Sequence, residues 1–203
     1  MVVIIDYNMG NTGSVMNALA FLGVPAKISK EKNDLQAASH LILPGVGAFG
    51  DGMKHITDLG LLPILREQVL ERKKPFLGVC LGMQLLAEVG EEGGEHAGLG
   101  WLPGRVRRFQ IDEMALPVPH VGWNDVTVIK ATPLFTDIDP MVFYFTHSYI
   151  LEPPPDFIIG TCAYGEVFAA AVAKDNIFGV QWHPEKSQRS GLKLLENFIN
   201  IKT

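Results

Sequence analysis

The run Pro75-Phe76-Leu77-Gly78-Val79-Cys80-Leu81-Gly82-Met83-Gln84-Leu85-Leu86 constrains this chain more than any other stretch. Phe76 to Val79 is apolar and short enough for one buried strand. It ends on a cysteine set between glycines, and a helical pattern begins at once from Leu81. A strand that turns directly into a helix is the building unit of a parallel sheet covered by helices on both faces. Gly78-x-Cys80-x-Gly82 has the form of a nucleophile elbow with cysteine in place of serine. The sulfur then sits at a helix N-terminus, where backbone dipoles favour a thiolate. The Leu81 N–H points to the same spot and is a donor for an oxyanion. The competing reading is a cysteine packed in a core strand, the usual fate of a free thiol.

The first half repeats the strand–helix alternation. Val2 to Ile5 reads as a buried strand, Gly13 to Leu22 as a helix, and His40 to Leu43 as a second strand ended by Pro44-Gly45. Leu61 to Lys73 is an amphipathic helix with Leu61, Leu62, Leu65 and Val69 on one face. The second half carries strands with short connections: Asp125 to Ile129, Met141 to Phe145, Phe157 to Tyr164, Val167 to Ala173 and Ile177 to Gln181. Short connections suit antiparallel pairing. Ser187 to Ile201 closes the chain as a helix with Leu192, Leu195, Phe198 and Ile199 inward. The pattern predicts a three-layer α/β/α fold whose mixed, mainly parallel central sheet has an antiparallel portion in the second half. With 203 residues, it fits one domain spanning 1–203.

Composition narrows the class of function. A net charge of −5 argues against a nucleic-acid grip. The basic clusters Arg72-Lys73-Lys74 and Arg105-Val106-Arg107-Arg108 read as solvated edges. No apolar run approaches the roughly 20 residues that span a bilayer, and Asp6 interrupts the apolar start before signal-peptide length. A cytoplasmic chain without a membrane role is expected. The two cysteines make no disulfide framework, and no pair has zinc-ligand spacing, so neither a metal nor a cofactor is expected. Cys162 reads as core.

A thiol nucleophile needs a base. Of six histidines, His183 is the best placed, in Val180-Gln181-Trp182-His183-Pro184-Glu185 just past a strand. In an extended segment residues two apart project to the same side. His183 and Glu185 therefore suit a base and its orienting carboxylate, giving a Cys80–His183–Glu185 arrangement. The alternative is a surface turn in which Pro184 merely ends the strand. The loop Leu43-Pro44-Gly45-Val46-Gly47-Ala48-Phe49-Gly50 matches neither phosphate-binding pattern. It fits an anion hole for an acyl intermediate, or else a plain glycine-rich turn. His147 reads equally as a group behind the site or as a packed core histidine; His40, His55 and His96 carry no signal.

Together these segments resemble the triad (class I) glutamine amidotransferases. The ordered set Asp6 to Asn11, Leu43 to Phe49, Gly78 to Leu86, His120-Val121-Gly122-Trp123-Asn124, Phe145-Thr146-His147-Ser148-Tyr149 and Gly179 to Ser187 is similar to the glutaminase subunits of imidazole glycerol phosphate synthases within that class. Trp182 and Thr146 depart from the residues usual there and read as variations at apolar sites.

The resemblance implies hydrolysis of glutamine to glutamate and ammonia through a glutamyl thioester. It also implies a heterodimer with a (βα)8-barrel cyclase that uses the ammonia to make imidazole glycerol phosphate and aminoimidazole carboxamide ribotide in histidine biosynthesis. A barrel of that kind needs roughly 250 residues, so the acceptor chemistry belongs on another chain. On the same basis Leu81, Val46 and Gly47 form the oxyanion hole, and Gln84, Glu92, Ser148 and Tyr149 bind glutamine. Asn11, Trp123, Tyr144 and Lys186 are candidates for the surface facing the cyclase. The alternatives are a glutaminase subunit for another acceptor pathway and a stand-alone cysteine hydrolase of γ-glutamyl compounds.

Overall fold

The computed structural model describes residues 1–202. In chain order the first half holds β1 (Val2–Ile5), α1 (Thr12–Phe21), β2 (Ala26–Ser29), α2 (Lys32–Ala37), β3 (His40–Gly45), α3 (Phe49–Asp58), α4 (Leu61–Arg66), β4 (Phe76–Cys80) and α5 (Leu81–Gln84). The remainder holds β5 (Val89–Gly90), β6 (His96–Ala97), β7 (Arg105–Arg108), β8 (His120–Asp125), β9 (Thr127–Val128), β10 (Val142–His147), β11 (Tyr149–Glu152), β12 (Ile158–Tyr164), β13 (Glu166–Lys174), β14 (Ile177–Val180) and α6 (Gln188–Ile199).

The main sheet has the order β2-β1-β3-β4-β14-β13-β12-β9. The first five strands run parallel and the last three antiparallel, the mixed sheet the sequence predicts. Alternation along β1 feeds both of its faces. Val2 and Ile4 pack with Val15 and Leu19 of α1 and Leu194, Leu195 and Phe198 of α6. Val3 and Ile5 pack with Leu35, Ile56, Leu61, Ile64 and Leu65 of α2, α3 and α4. Burying each such side chain stabilises the fold by about 1.5–3 kcal/mol.

Several elements differ from the expectation. The strand expected over Asp125 to Ile129 is split: Asp125 closes β8, and only Thr127–Val128 joins the main sheet. The helix expected from Leu61 to Lys73 is α-helical to Arg66 and widens into a π turn over Glu67–Glu71. In α6 it is Leu194 that is fully buried, whereas Leu192 and Ile199 are only partly covered. The helix after Cys80 is a single turn whose four residues are all buried. The helix α3 was not foreseen. It carries Gly50 and Gly52, both poor helix formers, and is held by tertiary contacts: Phe49 N donates to Glu92 Oε2 at 2.9 Å.

Two smaller sheets stand beside the main one, β10-β8 and β11-β7-β5-β6. Arg107 ties the second to β13. Its Nη1 and Nη2 donate to the Glu166 carboxylate at 3.0 and 2.7 Å, and its Nε lies 2.8 Å from Glu152. The reading of this basic cluster as a solvated edge is therefore corrected for Arg107, whose side chain is only 14% exposed. Arg105 and Arg108 are the exposed members, paired with Glu91 and Glu113. Among the described residues no helix is long and apolar enough to cross a membrane.

Candidate active site

Three neighbouring parallel strands leave the sheet at one edge, the carboxyl edge where open α/β sheets bind ligands. β3 ends at Gly45, β4 at Cys80 and β14 at Val180. Gly45 is the register partner of Cys80, and Val180 of Val79. Sheet pairing thus brings together the glycine loop, the cysteine and the segment leading to His183.

At the elbow Cys80 adopts φ +53°, ψ −110°, a region that side chains rarely occupy. The flanking glycines are steric necessities. A Cβ on Gly82 would sit 1.9 Å from Leu43 O, and one on Gly78 would sit 2.5 Å from Gly82 O. Cys80 stands just before the helical turn that carries Gln84, so the two do not share a helix face. Both nevertheless border one cleft of about 380 Å³.

His183 Nδ1 lies 3.0 Å from Glu185 Oε1, and both side chains are almost fully buried. Pro184 opens a short 3₁₀ turn between them, and His183 N–H donates to Tyr144 O at 2.9 Å, fixing the segment. Burial pulls the His183 imidazole down. Hydrogen bonds to Cys80 and Glu185, with their negative charges, outweigh it and raise His183 above the usual histidine value. The structure thus brings the three triad candidates together. Chemically, an arrangement of this kind can provide a nucleophile, a base beside it and a carboxylate that fixes the base's tautomer.

Val46, Gly47, Leu81, Gln84, Glu92, Ser148, Tyr149 and Lys186 all line the same cleft. Some already have structural duties. Glu92 caps α3 through Phe49 N. Gln84 Nε2 donates to Tyr149 O at 2.9 Å and to Gln181 Oε1 at 3.1 Å, leaving its carbonyl oxygen for a ligand.

The four interface candidates do not line the cleft together. Lys186 does, and its Nζ lies 5.8 Å from the Tyr144 ring centroid, which is 6.1 Å from that of Trp123. They form a continuous rim, and Trp123 is half exposed. Asn11 caps α1, accepting from Ser14 N at 3.3 Å, just past β1 at the same sheet edge.

Two contacts were missed in the sequence. Gln181 Nε2 approaches Cys80 Sγ at 3.7 Å, and the Thr146 carbonyl lies 3.8 Å from that sulfur. Gln181 precedes His183 by two in an extended segment, the same periodicity that picked out Glu185. Thr146 is exposed at the cleft, correcting its reading as an apolar-site variation; Trp182 is fully buried, stacked on Phe143 at 4.3 Å. Cys162 is core as expected, and burial pushes its thiol up to about 12. His40 and Phe198 pack edge to face. Among the described residues, no group of three or more His, Cys, Asp or Glu could hold a metal ion.

Known proteins match the chain over almost its full length. The profile of the family described as Glutamine amidotransferase class-I matches residues 3–201. The chain is 47% identical over 202 residues to imidazole glycerol phosphate synthase subunit HisH 1 of Campylobacter jejuni, covering 99% of this chain and 100% of that one. It is 46% identical to subunit HisH 2 of Pseudomonas aeruginosa, with 99% and 100% coverage. It is 48% identical to subunit HisH of Sulfurimonas denitrificans, with 100% and 99% coverage. Among solved structures, PurLQS from Thermotoga maritima superposes with a TM-score of 0.75 at 18% identity, covering 98% of this chain and 97% of that one. A structure described as glutamine amidotransferase gives 0.72 at 21% identity, with 98% and 97% coverage.

Proposed function

The chain belongs to the class I glutamine amidotransferase family, and from that membership we propose that it is the glutaminase subunit of an imidazole glycerol phosphate synthase, its cleft hydrolysing glutamine through Cys80, His183 and Glu185. Its activity is glutamine amidotransfer in histidine biosynthesis. The observation that carries the mechanistic part is the buried His183–Glu185 pair, 3.0 Å apart, with His183 lining the same cleft as Cys80.

The Cys80 thiolate attacks the side-chain carboxamide carbon of glutamine. The carbonyl oxygen becomes an oxyanion held by Leu81 N–H and by an N–H of the Gly45–Gly47 loop, that of Val46. One such donor is worth about 3 kcal/mol of barrier. His183, as imidazolium, gives its proton to the departing nitrogen, and ammonia leaves a glutamyl thioester on Cys80. Neutral His183 then takes a proton from water, whose oxygen attacks the thioester carbon. Collapse expels the thiolate and releases glutamate. Glu185 holds the Nδ1–H of His183 throughout, so Nε2 always faces the reacting atoms. Gln84 through its carbonyl oxygen, Glu92, and the Ser148–Tyr149 backbone engage the α-amino and α-carboxylate ends of glutamine.

Ammonia serves an acceptor only while unprotonated, so the cleft must face the partner. The rim of Trp123, Tyr144 and Lys186, with Asn11 along the same edge, is the surface we assign to a (βα)8-barrel cyclase. The three HisH relatives are each described as a subunit of the synthase, which supports a partner chain. The test is glutamate release by wild type and Cys80→Ala, each with and without the cyclase and its nucleotide ligand. Cys80→Ala abolishes glutamine-dependent synthesis while supplied ammonia still supports it. Retained glutamine-dependent synthesis in Cys80→Ala would refute the reading.

A further inference from the structure

His147 lines the cleft and His120 stands behind it; both are buried, and neither takes part in the chemistry above. Their contacts fix which nitrogen carries each proton. His147 Nδ1 lies 2.9 Å from the Tyr149 carbonyl oxygen, which can only accept, so Nδ1 bears the hydrogen and Nε2 a lone pair. Nε2 is 3.2 Å from His120 Nδ1, which must therefore donate. That leaves His120 Nε2 as the acceptor for Asn124 Nδ2 at 3.3 Å. Asn124 Nδ2 also donates to Ala163 O at 3.0 Å, and its Oδ1 accepts from Asp125 N at 2.8 Å. Every donor in the chain thus meets an acceptor, in one direction only. Burial pushes both imidazoles far below the usual value, to about 4 for His120 and about 3 for His147, so each keeps a single ring proton. His120 is clamped between the rings of Tyr164 (4.0 Å) and Phe145 (4.8 Å) and cannot turn to reverse the order.

The endpoint is what gives the chain a function. The Tyr149 carbonyl accepts from His147 and from Gln84 Nε2 together, and Gln84 Nε2 also reaches Gln181, which approaches the Cys80 sulfur. We propose that His147 and His120 are positioning residues: a one-way hydrogen-bond relay, Asn124 to His120 to His147, that sets the Tyr149 carbonyl and with it the glutamine-binding wall of the cleft. This rests on the glutaminase reading and adds to it two residues that act through the Tyr149 carbonyl.

The test uses the full chain with its cyclase and reads KM and kcat for glutamine hydrolysis. His147→Phe keeps the ring's bulk and removes both nitrogens; KM rises about tenfold, the worth of one good buried hydrogen bond, with a smaller change in kcat. Asparagine places an N–H where Nδ1 stood, so His147→Asn recovers most of the loss. Glutamine places its polar atoms near Nε2 instead, so His147→Gln does not. Equal impairment in the Asn and Gln variants, or a wild-type KM in His147→Phe, would overturn the relay. If His147→Phe fails to fold, the Asn–Gln comparison decides alone. Nitrogen-15 NMR of the wild-type chain is independent of turnover: it finds the proton of both rings on Nδ1, and a proton on His147 Nε2 overturns the assignment. A wild type that releases no glutamate from glutamine in the presence of the cyclase would instead defeat the glutaminase reading itself.

Discussion

Gly45 and Cys80 are register partners on adjacent parallel strands, so the glycine loop and the cysteine leave the sheet side by side. His183 reaches them from the neighbouring strand β14, whose Val180 pairs with Val79. The site is therefore a product of strand order. Residues remote in sequence meet because β3, β4 and β14 are neighbours in the sheet.

The elbow should tolerate no side chain at Gly82, where a Cβ would lie 1.9 Å from the Leu43 carbonyl oxygen. Forcing one in costs about 1–3 kcal/mol, or about 2–4 °C in Tm for each kcal/mol. Gly82→Ala is expected to melt lower and to lose glutaminase activity. Calorimetry beside a glutamate assay reads both, and an unchanged melting temperature would contradict the packing described.

Replacing Glu185 with Gln keeps the shape and removes the charge. An amide in place of the carboxylate no longer selects one tautomer of His183, and kcat is expected to fall by about 10²–10⁴-fold. The carboxylate is also one of the groups that raise His183 against burial. The His183 ring in Glu185→Gln should therefore titrate at lower pH than in wild type, as followed by proton NMR of the imidazole. A shift to higher pH would reverse the sign argued here.

Acid should weaken the fold through His120 and His147. Both have folded values depressed to about 4 and about 3, whereas an unfolded histidine titrates near 6.5. Below about pH 6.5 the unfolded chain binds protons that the folded chain refuses. Their stabilising contribution is thus complete above that pH and is lost as pH falls towards the folded values, by up to about 1.4 kcal/mol per pH unit for each group. Urea denaturation at pH 7 and pH 5.5 should show a smaller loss for His147→Phe than for wild type. Equal losses would mean that His147 is not held neutral.

Trp123 is 48% exposed and packs edge to face on Tyr144, within the rim proposed to meet the cyclase. Trp123→Ala is expected to weaken association with the cyclase by about 10–100-fold, measured by titration calorimetry, with an unchanged Tm. Wild-type affinity would move the docking surface elsewhere.

Much of this was legible in the sequence because its signals are local. The elbow announces itself through Gly78, Cys80 and Gly82, and the His183–Glu185 contact through the two-residue step between them. What stayed hidden depends on contacts between distant segments. Helix α3 carries two glycines and draws its stability from packing and from the Glu92 cap, which no local propensity encodes. Arg107 looks like its neighbours Arg105 and Arg108 until β13 brings Glu166 against it. The role of His147 was undecidable because its meaning lies in which atoms face its two nitrogens, and those come from Tyr149 and His120.

The central claim is that a sulfur, an imidazole and a carboxylate act as one unit in the cleft. Its most direct test is the rate at which a glutamine analogue bearing a diazomethyl ketone in place of the carboxamide alkylates the chain in complex with the cyclase, with the site read by peptide mass spectrometry. The account predicts one equivalent on Cys80, none on Cys162, and a large fall in rate in both His183→Ala and Glu185→Gln. Labelling at another residue, or an undiminished rate on Cys80 without His183, would contradict it.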